Sequence, residues 1–92
     1  MRRRGKVEDL QILRGRIDVI DNQILKALGE RVAICRKIGE YKKQHGLPVE
    51  DKVREGKVYS KVREKAVEFQ LDPARIETLY HEIVNICSDI QK

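Results

Sequence analysis

An apolar stripe longer than the rest of the chain can cover constrains this protein more than any other feature. Leu10, Leu13, Ile17, Ile20, Ile24 and Leu28 recur at spacings of threes and fours, and Cys35 and Ile38 continue the row. The pattern reads as one helix over 7–45. A helix of about 38 residues is about 57 Å long. A compact globule built from 92 residues is only about 30 Å across. Two shorter segments cannot cover such a stripe, so the expected assembly is an intertwined helical homodimer, with a second copy of the chain on the overhang. The alternative is a break near Gly29 that folds the helix back into a compact bundle. A single glycine costs about 1 kcal/mol of helix propensity and seldom breaks so periodic a row.

The prolines divide the remainder. Gly46 followed by Pro48 marks the end of the first helix, and Asp72-Pro73 marks a start, with Asp as N-cap and Pro at the first helical position. This leaves helical segments over 51–70 and 73–91. Val58, Tyr59, Val62, Ala66 and Phe69 form one face of the second, although Gly56 weakens it. Ile76, Leu79, Tyr80, Ile83, Cys87 and Ile90 form the face of the third. No segment alternates with the period of a half-buried strand, so the fold class is all-α, with three helices per chain, one long and two shorter. Glu8 and Asp9 are expected in the first turn of the long helix and Lys42 and Lys43 in its last, where they suit the helix dipole.

Composition narrows the setting. Hydrophobic residues make up 40% and charged residues 38%, too apolar for a disordered chain and too charged for a membrane protein. No run approaches the roughly 18 apolar residues of a membrane span, and no apolar stretch at the N-terminus suggests a signal peptide. The two cysteines, Cys35 and Cys87, suggest neither a disulfide framework nor a metal cluster, so a reducing cytoplasm is the expected location. Arg2, Arg3, Arg4 and Lys6 hold most of the net charge of +5. The expected division is a basic flexible tail over 1–6 and a single helical domain over 7–92. The near-neutral body argues against nucleic acid as a partner.

Cations occupy positions that the long stripe reserves for core. Taking Ile24 as the centre of the stripe, Arg31 falls about 20° away, Lys42 on the centre and Arg14 about 80° off. A buried charge needs a partner or water, and for either residue alone the ordinary outcome would be Arg31 paired internally with a carboxylate, or Lys42 snorkelling out at the helix end. Two cations on one apolar stripe point to a site for an anionic ligand, and arginine grips a carboxylate with two hydrogen bonds. Arg31 and Lys42 are about 16 Å apart along the axis, within convergence of long side chains, whereas Arg14 is about 25 Å from Arg31 and must serve a second site. In a two-fold dimer that site is the partner's. Asp51, Arg54 and Glu55 open the second helix, where a cap and a dipole partner are their ordinary roles. Tyr80, Val84, Cys87 and Gln91 share one face of the third helix. The sequence shows no Ser/His/Asp arrangement, no Gly-rich phosphate loop and no carboxylate cluster. Any reaction here should need no nucleophile, metal or cofactor, and should rest on positioning and charge.

In these residues the chain resembles the all-helical (AroQ-type) chorismate mutases. The resemblance rests on an ordered set: Leu-x-x-Leu-Arg-x-x-Ile-Asp-x-Ile-Asp from Leu10 to Asp21, Glu30-Arg31, Ile38-Gly39-x-x-Lys42, and Pro48-x-x-Asp51-x-x-Arg54-Glu55, with a third helix ending near Gln91. It implies an intertwined dimer with two identical sites and the rearrangement of chorismate to prephenate, on the route to phenylalanine and tyrosine. It further implies that Arg31 and the Arg14 of a second copy hold the two carboxylates. Lys42 and Gln91 then donate to the ether oxygen of the breaking bond, and Glu55 and the backbone near Asp51 hold the ring hydroxyl. Arg54 orders the neighbouring carboxylates. Where many members carry Ser or Asn this chain has Cys87, a weaker donor to substrate. Gln91 is penultimate, where helices fray. Two alternatives remain: an isochorismate-pyruvate lyase of the same fold, and a non-enzymatic helical dimer that binds nucleic acid or protein through its tail.

Overall fold

The computed structural model describes residues 2–92, with side chains from Asp9 onward. It is all helical: α1 spans Arg2–Gln44, α2 Lys52–Glu68 and α3 Pro73–Gln91. Helix α1 passes through Gly29 without a break. It also begins at Arg2 and so takes in residues 2–6, which the charge pattern assigns to a tail. Because no proline interrupts that stretch, Glu8 and Asp9 do not form the first turn as expected, whereas Lys42 and Lys43 do occupy the last.

The chain divides into two compact units, Met1–Arg31 and Val32–Lys92. The first is α1 up to Arg31. Its apolar row is exposed: Leu10, Leu13, Ile20 and Ile24 face solvent, and Ile17 retains 56% of its accessible surface. The second unit holds the end of α1 with α2 and α3. Its buried side chains are small ones, Cys35, Ala66, Val84 and Cys87.

Local chemistry accounts for the helix ends in this second unit. At the end of α1 the Leu47 amide donates to the Lys42 carbonyl at 2.8 Å and the Gly46 amide to the Lys43 carbonyl at 3.5 Å. This pair of bonds closes a helix through a left-handed residue, and Gly46 supplies it with φ of 66°. Asp51 caps α2 by accepting from the Arg54 amide at 3.0 Å. Asp72 caps α3 by accepting from the Ala74 amide at 3.0 Å, with Pro73 in the first turn. Helix α2 stops two residues short of the expected limit. Leu71 donates to the Ala66 carbonyl at 2.7 Å and Gln70 to Val67 at 3.1 Å, the same closing pattern as in α1. The left-handed position here falls to Gln70, with φ of 61°, and no glycine in the sequence announces it.

Helices α2 and α3 are tied by a charged group on their outer face. Arg63 donates to the Glu77 carboxylate at 2.8 Å, His81 lies 3.3 Å from the same carboxylate, and the His81 ring packs against Tyr59. The Arg63 hydrogen bond, and after it that of His81, holds the Glu77 carboxyl below the usual glutamate range. Burial raises the Tyr59 hydroxyl, with the Glu55 charge adding to it.

Two outcomes are expected. Gln70→Gly removes the strain of a left-handed side-chain residue and should stabilise the protein by about 1 kcal/mol, read by urea unfolding. The Glu77 contribution is present above the ordinary glutamate pKa of about 4.3 and is lost as pH falls through its lower folded value. Wild type should therefore exceed Glu77→Gln in melting temperature at neutral pH, and the gap should close on acidification through that window.

Candidate functional site

The site forms where the end of α1, the loop after it and the end of α3 meet within the second unit. Lys42 sits in the last turn of α1, half-buried. Its ammonium donates to the Val49 carbonyl at 2.6 Å and to Gln91 Oε1 at 3.0 Å. The turn through Gly46 reverses the chain and brings Val49 back to Lys42. The position of Gln91 is set by α3. A β-carbon at Gly39 would lie 3.0 Å from the Gln91 α-carbon, so the bare glycine lets the two backbones approach.

Two of the three N–H groups of Lys42 thus meet neutral acceptors. Among the described residues no carboxylate pairs with it. A half-buried cation with neutral partners keeps its positive field and has a donor to spare. Gln91 presents its oxygen to the ammonium, which leaves its amide hydrogens to donate elsewhere. An open cavity of about 330 Å³ adjoins Lys42, lined also by Leu47, Pro48, Glu50, Asp51, Lys52 and Val53. On its rim Glu50 and Lys52 pair at 2.6 Å. Each stabilises the other's charge, lowering the Glu50 carboxyl and raising the Lys52 ammonium. They are exposed and neutralise one another, which leaves the Lys42 ammonium and the Asp51 carboxylate as the other charges of the lining.

The expected site residues are distributed as follows. Lys42, Gln91 and Asp51 come together in this unit. Asp51 lends one carboxylate oxygen to the α2 cap, its ordinary role. Glu55 is half-buried in the first turn of α2, and Arg54 beside it is exposed. Arg14 and Arg31 belong to the first unit, where Arg14 is exposed and Arg31 half-buried.

Cys87 departs from expectation. Cys35 and Cys87 are joined as a disulfide, with α-carbons 5.6 Å apart, against the expectation of two unpaired cysteines. Their separation of 52 positions says nothing about distance once two helices lie side by side. In this state Cys87 has no S–H to donate, so the weak donor expected there is absent. Sequence reasoning also missed what Gly39 does. Its signal lies in the spacing: Cys35, Gly39 and Lys42 follow one another along one face of α1, as Cys87 and Gln91 do along α3. Among the described residues no three metal-ligating side chains cluster, and no helix is long and apolar enough to cross a membrane.

Comparison with known proteins bears on this geometry. Residues 13–92 match the family described as chorismate mutase type II. A 4-amino-4-deoxychorismate mutase of Streptomyces pristinaespiralis is 36% identical over 77 residues, which cover 84% of this chain and 60% of that protein. A chorismate mutase of Methanocaldococcus jannaschii is 38% identical over 66 residues, covering 72% of this chain and 67% of its own. Among solved structures, a conserved hypothetical protein from Pyrococcus furiosus superposes with a TM-score of 0.69 at 36% identity, covering 90% of this chain and 95% of that one. The chain thus spans 60% of the Streptomyces relative's length.

The close approach at Gly39 is open to direct test. Gly39→Val places methyl groups against the Gln91 backbone and should destabilise the protein by about 1–3 kcal/mol in urea unfolding. Gly56→Ala, where a β-carbon meets nothing within 4 Å, should stabilise it by about 1 kcal/mol.

Proposed function

The chain belongs to the chorismate mutase type II family, and on that premise we propose that it rearranges chorismate to prephenate, on the route to phenylalanine and tyrosine. The observation that carries the reading is Lys42: a half-buried ammonium beside an open cavity, held by a carbonyl and an amide oxygen. The reaction is unimolecular. One C–O bond breaks while one C–C bond forms, and no proton moves. It requires a held conformer and donors at the ether oxygen, where negative charge develops. In this proposal the spare N–H of Lys42 and the amide of Gln91 are those donors. Arg31 holds one substrate carboxylate and Arg14 of a second copy holds the other. Glu55 and the backbone at Asp51 hold the ring hydroxyl, with Arg54 ordering the carboxylates around it. Cys87 lines the face between them without donating.

A homodimer is part of the proposal. The exposed row Leu10, Leu13, Ile17, Ile20 and Ile24 supports it, as does the scarcity of large buried side chains within one chain. A second copy would cover the row and bring Arg14 to the site. The relative named for 4-amino-4-deoxychorismate favours a second reading, in which an amine replaces the ring hydroxyl of the substrate.

Loss of diene absorbance on adding chorismate tests the main reading, and the same assay with 4-amino-4-deoxychorismate tests the second. Chorismate should give the larger kcat/KM; turnover of neither compound would overturn both. Lys42→Ala and Arg31→Ala should each lower kcat/KM by about 10²–10³-fold. Mixing Arg14→Ala with Lys42→Ala chains under verified subunit exchange should restore about one quarter of wild-type activity, since half the dimers are mixed and each has one intact site. No restoration would place Arg14 outside the shared site.

A further inference from the structure

The Cys35–Cys87 disulfide stands one helical turn from the site on both helices it joins. Cys35 precedes Gly39 by four residues along α1, and Cys87 precedes Gln91 by four along α3. The pairs Cys35 with Cys87 and Gly39 with Gln91 are therefore successive contacts between the same two helices, and Lys42 reaches Gln91 from the next turn. We propose that this disulfide is a positioning device for Gln91, and that breaking it lowers turnover by releasing the last turn of α3. The role in turnover rests on the functional reading above.

The need for such a device follows from where Gln91 lies. The last turn of a helix has unpaired carbonyls and frays, and Gln91 is the last residue of α3. Non-covalent support there is slight. The Lys92 amide donates to Ser88 and Asp89 carbonyls at 3.3 Å each, and the Lys92–Asp89 pair is exposed at 3.6 Å. The Lys42–Gln91 hydrogen bond adds a single side-chain contact. A covalent link one turn upstream fixes the helix that carries Gln91, and the bare face of Gly39 lets the next turn seat against α1. The α-carbon separation of 5.6 Å lies within the ordinary span of a disulfide. Cys87 thus holds the site together instead of donating to what fills it.

A small dithiol reverses the link. One reagent thiolate attacks a cysteine sulfur and forms a mixed disulfide; its second thiol closes a ring on itself. Cys35 and Cys87 end as two thiols, with two electrons and two protons supplied by the reagent. Both sulfurs are buried, at 5% and 7% residue exposure, so reduction waits on local opening.

The test uses the full chain, oxidised or reduced with dithiothreitol, with free thiols counted in each state. Below the melting temperature of both forms, reduction should lower kcat about tenfold while KM changes less than about twofold. Cys35→Ser/Cys87→Ser should show the same kcat with or without the dithiol. Amide exchange at residues 88–92 should quicken on reduction. The decisive arm is Gln91→Ala: reduction should still lower its melting temperature but leave its residual kcat unchanged, because the group being positioned is gone. A disulfide that only stabilises the fold would leave kcat unaltered in both backgrounds. Equal kcat in oxidised and reduced wild type, unchanged exchange at 88–92, or two free thiols in the unreduced protein would each overturn the proposal. If the oxidised protein turns over no chorismate, the functional reading fails instead, and the exchange comparison decides the positioning by itself.

Discussion

Lys42 places one ammonium between the Val49 carbonyl at 2.6 Å and Gln91 Oε1 at 3.0 Å, and so ties the end of α1 to the loop after it and to the end of α3. A half-buried cation must recover in hydrogen bonds what it loses in hydration. Here the recovery comes from neutral oxygens, so the charge is held in place without being cancelled. The surrounding features serve that arrangement. Gly46 turns the chain so that Val49 returns to Lys42. Gly39 leaves room for the Gln91 backbone. The Cys35–Cys87 link fixes the two helices one turn away.

The same economy appears in the packing. The second unit buries two cysteines, an alanine and a valine, and no large side chain is fully enclosed. Chains of this size bury a small share of their surface and lean on partners or cross-links. This chain has a disulfide within the second unit, and the first carries the exposed apolar row on which the proposed homodimer rests. A thin core also explains why polar and covalent contacts, more than hydrophobic bulk, set the position of Gln91.

Catalysis by such a site asks little of side-chain reactivity. The rearrangement proposed for it transfers no proton and needs no nucleophile, so the demand falls on holding a conformer and meeting charge as it develops. Donors that are fixed before the reaction starts cost no reorganisation during it. The donor proposed at Gln91 lies in the last turn of α3, where the close approach at Gly39 and the Cys35–Cys87 link are its neighbouring contacts with α1.

Periodicity and punctuation carried much of the fold. Apolar spacing announced three helices and no strand, Gly46 and the Asp72-Pro73 pair marked boundaries that the structure keeps, and Asp51 is the cap its position suggested. Lys42 stood out because a cation on an apolar stripe demands an explanation. These features are local, or repeat along one helix, and a sequence records both. The stop at Gln70 was not legible, since its left-handed turn is imposed on a residue with no preference for it. Nor was the start of α1 at Arg2, where a run of cations read as a tail. The Cys35–Cys87 pair and the seat of Gln91 against Gly39 depend on which faces of α1 and α3 meet and in what register. Helical spacing specifies the faces each helix has to offer; only packing decides which two are pressed together, because that choice is made by contacts between residues about 50 positions apart.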